Sequence, residues 1–353
     1  MKEIINMKLK TLILTIALIL SASTNIFAQP GAVKKAADAA FTLTTFKADG
    51  SILATSNGVC ISADGIAVSP WKPFIGADKA VIIDAKGQKH EVECLLGANE
   101  IYDIVKFQVS GKTVAAPLAT TVSAGDEAWV TPMSKSGNAE KADVSSVEKF
   151  MDKYNYTILK SSATDKLNGV PVFNTKGQVI GLFNSAGESQ SSTDANYAKD
   201  FIVKGLSQND ITLRQSDIRI GLPNTIEEAV VALMLSSEKP ANIHEAVVNE
   251  FITKFPQAND GYYALANLQI AKGEVANADK TMQTAISKVA AKDEAHYNYA
   301  RLIYRNALIQ EFAEKTKSVG WTLDKALDEI KKAQTAKAND AYRHLQAQII
   351  YAK

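Results

Sequence analysis

Val170-Pro171-Val172-Phe173-Asn174 is an apolar run preceded by Asn168-Gly169 and followed by Lys176-Gly177. Val179-Ile180-Gly181-Leu182-Phe183 comes directly after that turn. Two short apolar runs joined by a glycine-containing turn read as paired strands. The same grammar extends upstream. Ala40 to Phe46 is rich in β-branched and aromatic residues and ends at Asp49-Gly50, and Gly58 to Ser62 leads into Asp64-Gly65, a strong hairpin signal. Ala80 to Asp84 precedes Lys86-Gly87, and Glu91 to Leu96, Ala128 to Val130 and Tyr156 to Leu159 complete the series. Many short strands at regular spacing over about 35–207 predict a β-sandwich or β-barrels.

Beyond residue 207 the period changes. Asp210 to Pro223 is a polar connector, and 208–224 is taken as a linker. Thr225-Ile226-Glu227-Glu228 has the capping-box pattern and opens a helix to about Ser236. A second helix, Ile243 to Phe255, stops at Pro256, whose ring cannot continue it. Tyr262, Leu265, Ala266, Gly273, Ala278 and Ala285 then fall on the leading, turn and close-packing positions of a 34-residue helical repeat, and His296, Tyr299 and Ala300 repeat the leading positions one period on. These residues resemble a tetratricopeptide repeat, which implies paired helices and contact with proteins or peptides. The second unit carries an insertion around Gly320-Trp321, and Tyr342 begins a third, unfinished one. The helical domain is placed at 225–353.

Length and charge agree with two domains. The chain has 353 residues, too many for one ordinary core. Its formal net charge of +1 argues against the basic footprint of a nucleic-acid binder. Lys2, Lys8 and Lys10 precede the apolar stretch Thr11 to Leu20, and Ile26-Phe27-Ala28 offers a cut after Ala28. Residues 1–28 therefore read as a signal peptide. The apolar stretch falls short of the ~20 residues a spanning helix needs, so no stable membrane anchor is expected after cleavage. Removing three lysines and one glutamate takes the net charge from +1 to −1. The expected location is periplasmic or secreted. Export makes a Cys60–Cys94 disulfide chemically possible, and two buried free thiols serve the sequence equally well.

The β half resembles trypsin-like serine proteases of the high-temperature-requirement (Deg) type. Ala67 to Asp78 (Ala-Val-Ser-Pro-Trp-Lys-Pro-Phe-Ile-Gly-Ala-Asp) is similar to the family segment that carries the catalytic histidine, with Lys72 in the histidine column. Tyr102-Asp103-Ile104-Val105-Lys106 matches the segment of the catalytic acid, and Asn168-Gly169-Val170-Pro171 matches that of the nucleophile, with Asn168 in the serine column. Lys166 stands where the family prefers an oxyanion-loop glycine. The resemblance implies two antiparallel six-stranded barrels, about 35–112 and 113–207. It also implies a triad reduced to its acid: Asn168 has no hydroxyl with which to form an acyl-enzyme, and Lys72 has no serine to deprotonate. Asp103 is then expected as a hydrogen-bond acceptor or an ion-pair partner of Lys72. The polar stretch Glu188 to Asn196 falls where the family shapes its specificity pocket, and it also reads as a solvated hairpin loop. No metal-ligand spacing or phosphate loop occurs, and no cofactor is expected.

Three functions follow. The first is an inactive barrel scaffold whose helical repeats hold a protein or extended peptide, the barrel groove accepting peptide by strand addition. The second is an active endopeptidase with a relocated triad, for which His90 is the histidine of the barrel region and Ser161, Ser162 and Thr164 lie near the nucleophile position, while His244, His296 and His344 fall in the helical part and read as surface or packing residues. The third is a structural envelope component. The partner and the oligomeric state are not encoded in any motif.

Overall fold

The computed structural model describes residues 29–133, 138–310 and 313–353. The expected signal peptide lies outside the described residues. After a short helix α1 (Gly31–Ala36), six strands form a closed antiparallel barrel: β1 (Ala40–Phe46), β2 (Ile52–Cys60), β3 (Ile66–Ser69), β4 (Lys79–Ile83), β5 (Lys89–Asn99) and β6 (Ile104–Val109). A second closed barrel follows, made of β7 (Glu127–Val130), β8 (Glu140–Phe150), β9 (Tyr154–Ser161), β10 (Pro171–Asn174), β11 (Val179–Ala186) and β12 (Ser189–Thr193). The first barrel runs β1-β2-β3-β6-β5-β4, and the second runs β7-β8-β9-β12-β11-β10. One topology is used twice, as the trypsin-like resemblance implies.

The alternation of side chains along each strand explains the cores. Phe41, Leu43, Ile82, Leu95 and Phe107 fill the first barrel, and Val130, Val144, Leu159, Val172 and Phe183 fill the second. A third cluster joins them: Val59, Val68 and Ile104 from the first barrel meet Trp129, Phe173, Val179 and Leu182 from the second. Glycines sit where turns need left-handed backbone, as at Gly65 (φ 90°) and Gly177 (φ 75°).

Two expectations change. The stretch expected as a polar loop at Glu188 to Asn196 holds β12, paired with β11 on one side and β9 on the other. Ser191, Ser192 and Thr193 are buried there. Asp194 then caps α2 (Ala195–Lys199), its side chain accepting from Asn196 N. The connector at 208–224 packs on the first barrel. Leu213, Ile218 and Ile220 join its core, Leu95 N donates to Arg219 O (2.9 Å), and Gly221 N donates to Leu95 O (2.9 Å).

From Ile226 onward the described residues form eight helices: α3 (Ile226–Ser236), α4 (Ala241–Lys254), α5 (Asn259–Ala271), α6 (Val275–Lys288), α7 (Lys292–Ala307), α8 (Ala313–Ser318), α9 (Leu323–Ala336) and α10 (Asp340–Ala352). Thr225 caps α3 by position, but its side chain makes no capping bond. Glu228 instead accepts from Gly205 N and ties the helix to the chain that leaves the second barrel. Tyr262, Ala266, Ala278 and Ala285 are buried between neighbouring helices, and Gly273 turns α5 into α6 at φ 74°. The insertion holds α8 and Trp321, whose indole Nε1 donates to Asp279 Oδ1 (2.7 Å). Tyr299 also donates to Asp279, so this buried carboxylate knits α6 to α7 and to the insertion.

Candidate functional site

The three positions that the resemblance assigns to base, acid and nucleophile come from the seam of the barrels. Lys72 follows β3 in a one-turn 3₁₀ helix, Lys72–Phe74, held by Trp71 and Phe74, which stack with ring centroids 6.0 Å apart. Asp103 begins the approach to β6 with φ 46°, a left-handed backbone that aspartate tolerates better than most residues. Asn168 precedes β10. Gly169 next to it leaves no room for a side chain: a Cβ there would meet Asn57 O and Pro70 Cδ at 2.9 Å. The Asn168 loop is thereby pressed against Pro70, two residues before Lys72.

Asp103 is engaged by Lys72 twice. Its Oδ1 accepts the Lys72 backbone amide (2.8 Å), and its Oδ2 lies 3.6 Å from Lys72 Nζ. The Lys72 side chain is 75% exposed. An ion pair so open to water contributes about 0–1 kcal/mol. Its effect is to place a cation at the position that the resemblance assigns to the base.

Asn168 is held more firmly. Phe183 N donates to Val170 O (2.9 Å), and Gly169 N donates to Phe183 O (2.8 Å), which forms the last backbone rung between β10 and β11. Two residues along β11, Ser185 presents its N–H and C=O to the same side, because strand groups repeat every second residue. There the Asn168 side chain takes over. Ser185 N donates to Asn168 Oδ1 (2.7 Å), and Asn168 Nδ2 donates to Ser185 O (3.3 Å). The carboxamide has a donor and an acceptor spaced like those of a peptide unit, and it adds one further rung to the ladder. Asn57 Nδ2 fixes the same loop by donating to Asn168 O (3.2 Å).

The backbone amides around Asn168 are also engaged. Leu167 N, Asn168 N, Gly169 N and Val170 N donate to Thr164 O, Asp165 O, Phe183 O and Leu167 O respectively. Lys166 lies in the 3₁₀ helix Asp165–Leu167 and lacks a positive φ. A side chain disfavours the left-handed backbone that a glycine adopts freely, so the turn closes on itself. An oxyanion needs converging donors that are free to receive it.

Neither cysteine is bridged. Cys60 and Cys94 are buried free thiols, and burial pushes both up to about 12. Thiolate is scarce at such a value, so neither offers a nucleophile at neutral pH. His90 is buried in the first barrel, with Nδ1 2.7 Å from Ser110 O and Nε2 3.5 Å from Asp84 Oδ2. It contacts a serine carbonyl and no serine hydroxyl.

One serine–histidine contact was not anticipated. Ser236 Oγ and His244 Nδ1 lie 2.8 Å apart, across the turn from α3 to α4. Ser236 is wholly buried, and its hydroxyl also reaches Leu233 O (2.7 Å). The amides that follow, Ser237 N, Glu238 N and Lys239 N, donate to Met234 O, Leu235 O and Ser236 O. The pair lacks both access for a carbonyl carbon and donors for an oxyanion, and it works as a tie across the turn. The spacing of eight residues between Ser236 and His244 carries no motif from which it could have been read.

Among the described residues no group of three or more His, Cys, Asp or Glu is placed to hold a metal ion, and no helix is long and apolar enough to cross a membrane. No family model matches the chain, and no curated protein matches it. Among solved structures it is similar to the HtrA-type protease AlgW with tripeptide, at 18% identity and a TM-score of 0.41 over 48% of this chain. A variant of that protease, also with tripeptide, is similar at 17% identity and the same TM-score and coverage. The chain spans 60% of the length of each.

Proposed function

We propose that this is an exported, catalytically inactive relative of trypsin-like proteases, a protein- or peptide-binding scaffold of the cell envelope. In this reading the two barrels form a rigid base, and the helices from Ile226 onward are tetratricopeptide-type repeats that hold the partner. The observation that carries it is the Asn168 carboxamide on the backbone of Ser185. A residue without a hydroxyl stands at the nucleophile position and is employed in closing a strand edge. The Lys72–Asp103 pair and the engaged amides of residues 167–170 support the same conclusion. Strand addition at Ser185 is disfavoured, since Asn168 already holds that rung, and partner binding is assigned to other surfaces.

Cleavage of fluorescently quenched casein by the purified chain tests the reading. No turnover above buffer is expected. Turnover that disappears in Asn168→Ala or Ser236→Ala would overturn it and locate the missed centre. Ser236 is the specific residue on which an active-protease reading would rest, through its contact with His244.

A further inference from the structure

A cleft of about 1140 Å3 opens away from Lys72, Asp103 and Asn168, none of which lines it. Its walls come from β3, β5 and β6 of the first barrel, the chain between the barrels, the β8–β9 turn of the second barrel, α2 and the chain that follows it, the connector, and the C-terminal end of α4. Sites for single small molecules run to about 300–1,000 Å3. This cleft is larger and suits a short length of extended chain.

Its charge is unbalanced. Lys106, Lys153, Lys199, Arg219 and Lys254 line it with Glu93, Asp200 and Glu250. Asp200 pairs with Lys153, and Glu250 pairs with Arg219. Lys106 Nζ donates to two backbone carbonyls, Lys199 O (2.8 Å) and Phe201 O (2.6 Å), and Lys254 Nζ donates to Leu222 O (3.0 Å). Among the described residues, the ion pairs of the cleft leave Lys106, Lys199 and Lys254 without a carboxylate in salt-bridge range and Glu93 without a cation, so the lining carries an excess of two positive charges. A carbonyl satisfies an ammonium's hydrogen bond and leaves its charge uncompensated. Apolar surface lies in the same cleft as these cations: Ile61, Ile66, Leu96, Leu118 and Leu222 line the wall, and Ile202 stands 76% exposed. Cations and apolar surface in one cleft complement an extended segment that carries both acidic and apolar residues.

We propose that this cleft binds an extended acidic peptide segment of a partner protein, its carboxylates meeting Lys106, Lys199 and Lys254 and its apolar side chains lying on the apolar wall. The assignment rests on the binding-scaffold reading and gives that scaffold a location and a partner chemistry. The cleft touches both the first barrel and α4, so an occupant bridges the β and helical parts.

Fluorescence anisotropy on the purified full chain tests it, with a fluorescein-labelled octapeptide of alternating glutamate and leucine as probe. The acidic octapeptide is expected to bind, and a lysine–leucine octapeptide is not. Lys199→Glu, whose ammonium makes no hydrogen bond that the fold requires, is expected to weaken binding about tenfold, the size of a lost close charge pair. Rising salt is expected to weaken it further. Ile202→Asp is expected to lower affinity through the apolar contact. Equal binding by wild-type and Lys199→Glu, or no binding of the acidic octapeptide, overturns the assignment. Full displacement by millimolar inorganic phosphate would mark a simple anion site and overturns it too. If the octapeptide fails while casein remains uncut, the cleft alone is misassigned. If casein is cut, the scaffold reading itself has failed.

Discussion

Asn168 decides more than the loss of a hydroxyl. In an active centre the nucleophile's side chain stays free to reach substrate, whereas Asn168 turns both ends of its amide onto Ser185. On the inactive-scaffold proposal, restoring a histidine and a serine is therefore insufficient. Lys72→His with Asn168→Ser supplies a base and a hydroxyl, but the amides of residues 167–170 still point at protein carbonyls. Loss of a single oxyanion donor lowers turnover by about 10²–10³. The double variant is expected to show casein hydrolysis at or near the buffer rate, and efficient hydrolysis would show that this turn reopens without further change. That Asn168 stands in the serine column is what the resemblance implies, carried by Gly169 and Pro171. The grip on Ser185 was not legible in the sequence, since it joins residues 17 apart that only the barrel's closure brings together.

At the scale of elements, legibility followed the local pattern. The strands β1, β10 and β11 are apolar or alternating and are bounded by glycine turns, and they lie where the sequence places them. Strand β12, with the sequence Ser-Gln-Ser-Ser-Thr, has no apolar residue, and its strand character comes from partners on both sides. Strand β8 is charged along much of its length and carries a register shift between Val144 and Ser146, which blurs its alternation. The turn from α3 to α4 offers a test of pH dependence. Burial holds His244 below the ordinary histidine range. The unfolded chain then binds a proton at His244 more readily than the folded one. Its contribution to stability is full above the unfolded value of about 6.5 and falls as pH drops through the folded value. Urea unfolding at several pH values is expected to show that His244→Gln loses this part of the acid sensitivity. An unchanged pH profile in the variant would show that the folded chain does not hold His244 below its unfolded value.

For the whole molecule, the connector matters most. Its polar composition reads as a linker, and the alternation of Ile218, Ile220 and Leu222 is too short to declare a strand against its polar surroundings. In the structure Leu213, Ile218 and Ile220 enter the first barrel's core, while Arg219 pairs with Glu250 of α4 and Lys254 bonds Leu222 O. The β and helical parts are joined by a packed segment. Ile220→Ala removes a core side chain and is expected to cost about 2–4 kcal/mol in urea unfolding. It is also expected to make residues 208–224 sensitive to limited proteolysis. A connector that is cut as readily in the wild-type chain would show that it is loosely held.

The most direct measurement of the central claim is labelling of the purified chain by a serine-reactive fluorophosphonate, read by intact-protein mass. With Asn168 bound to Ser185 and Ser236 sealed between helices, the expected result is an unmodified mass under conditions that label trypsin fully. One adduct per chain, mapped to a serine of the described residues and abolished by its change to alanine, would contradict the account.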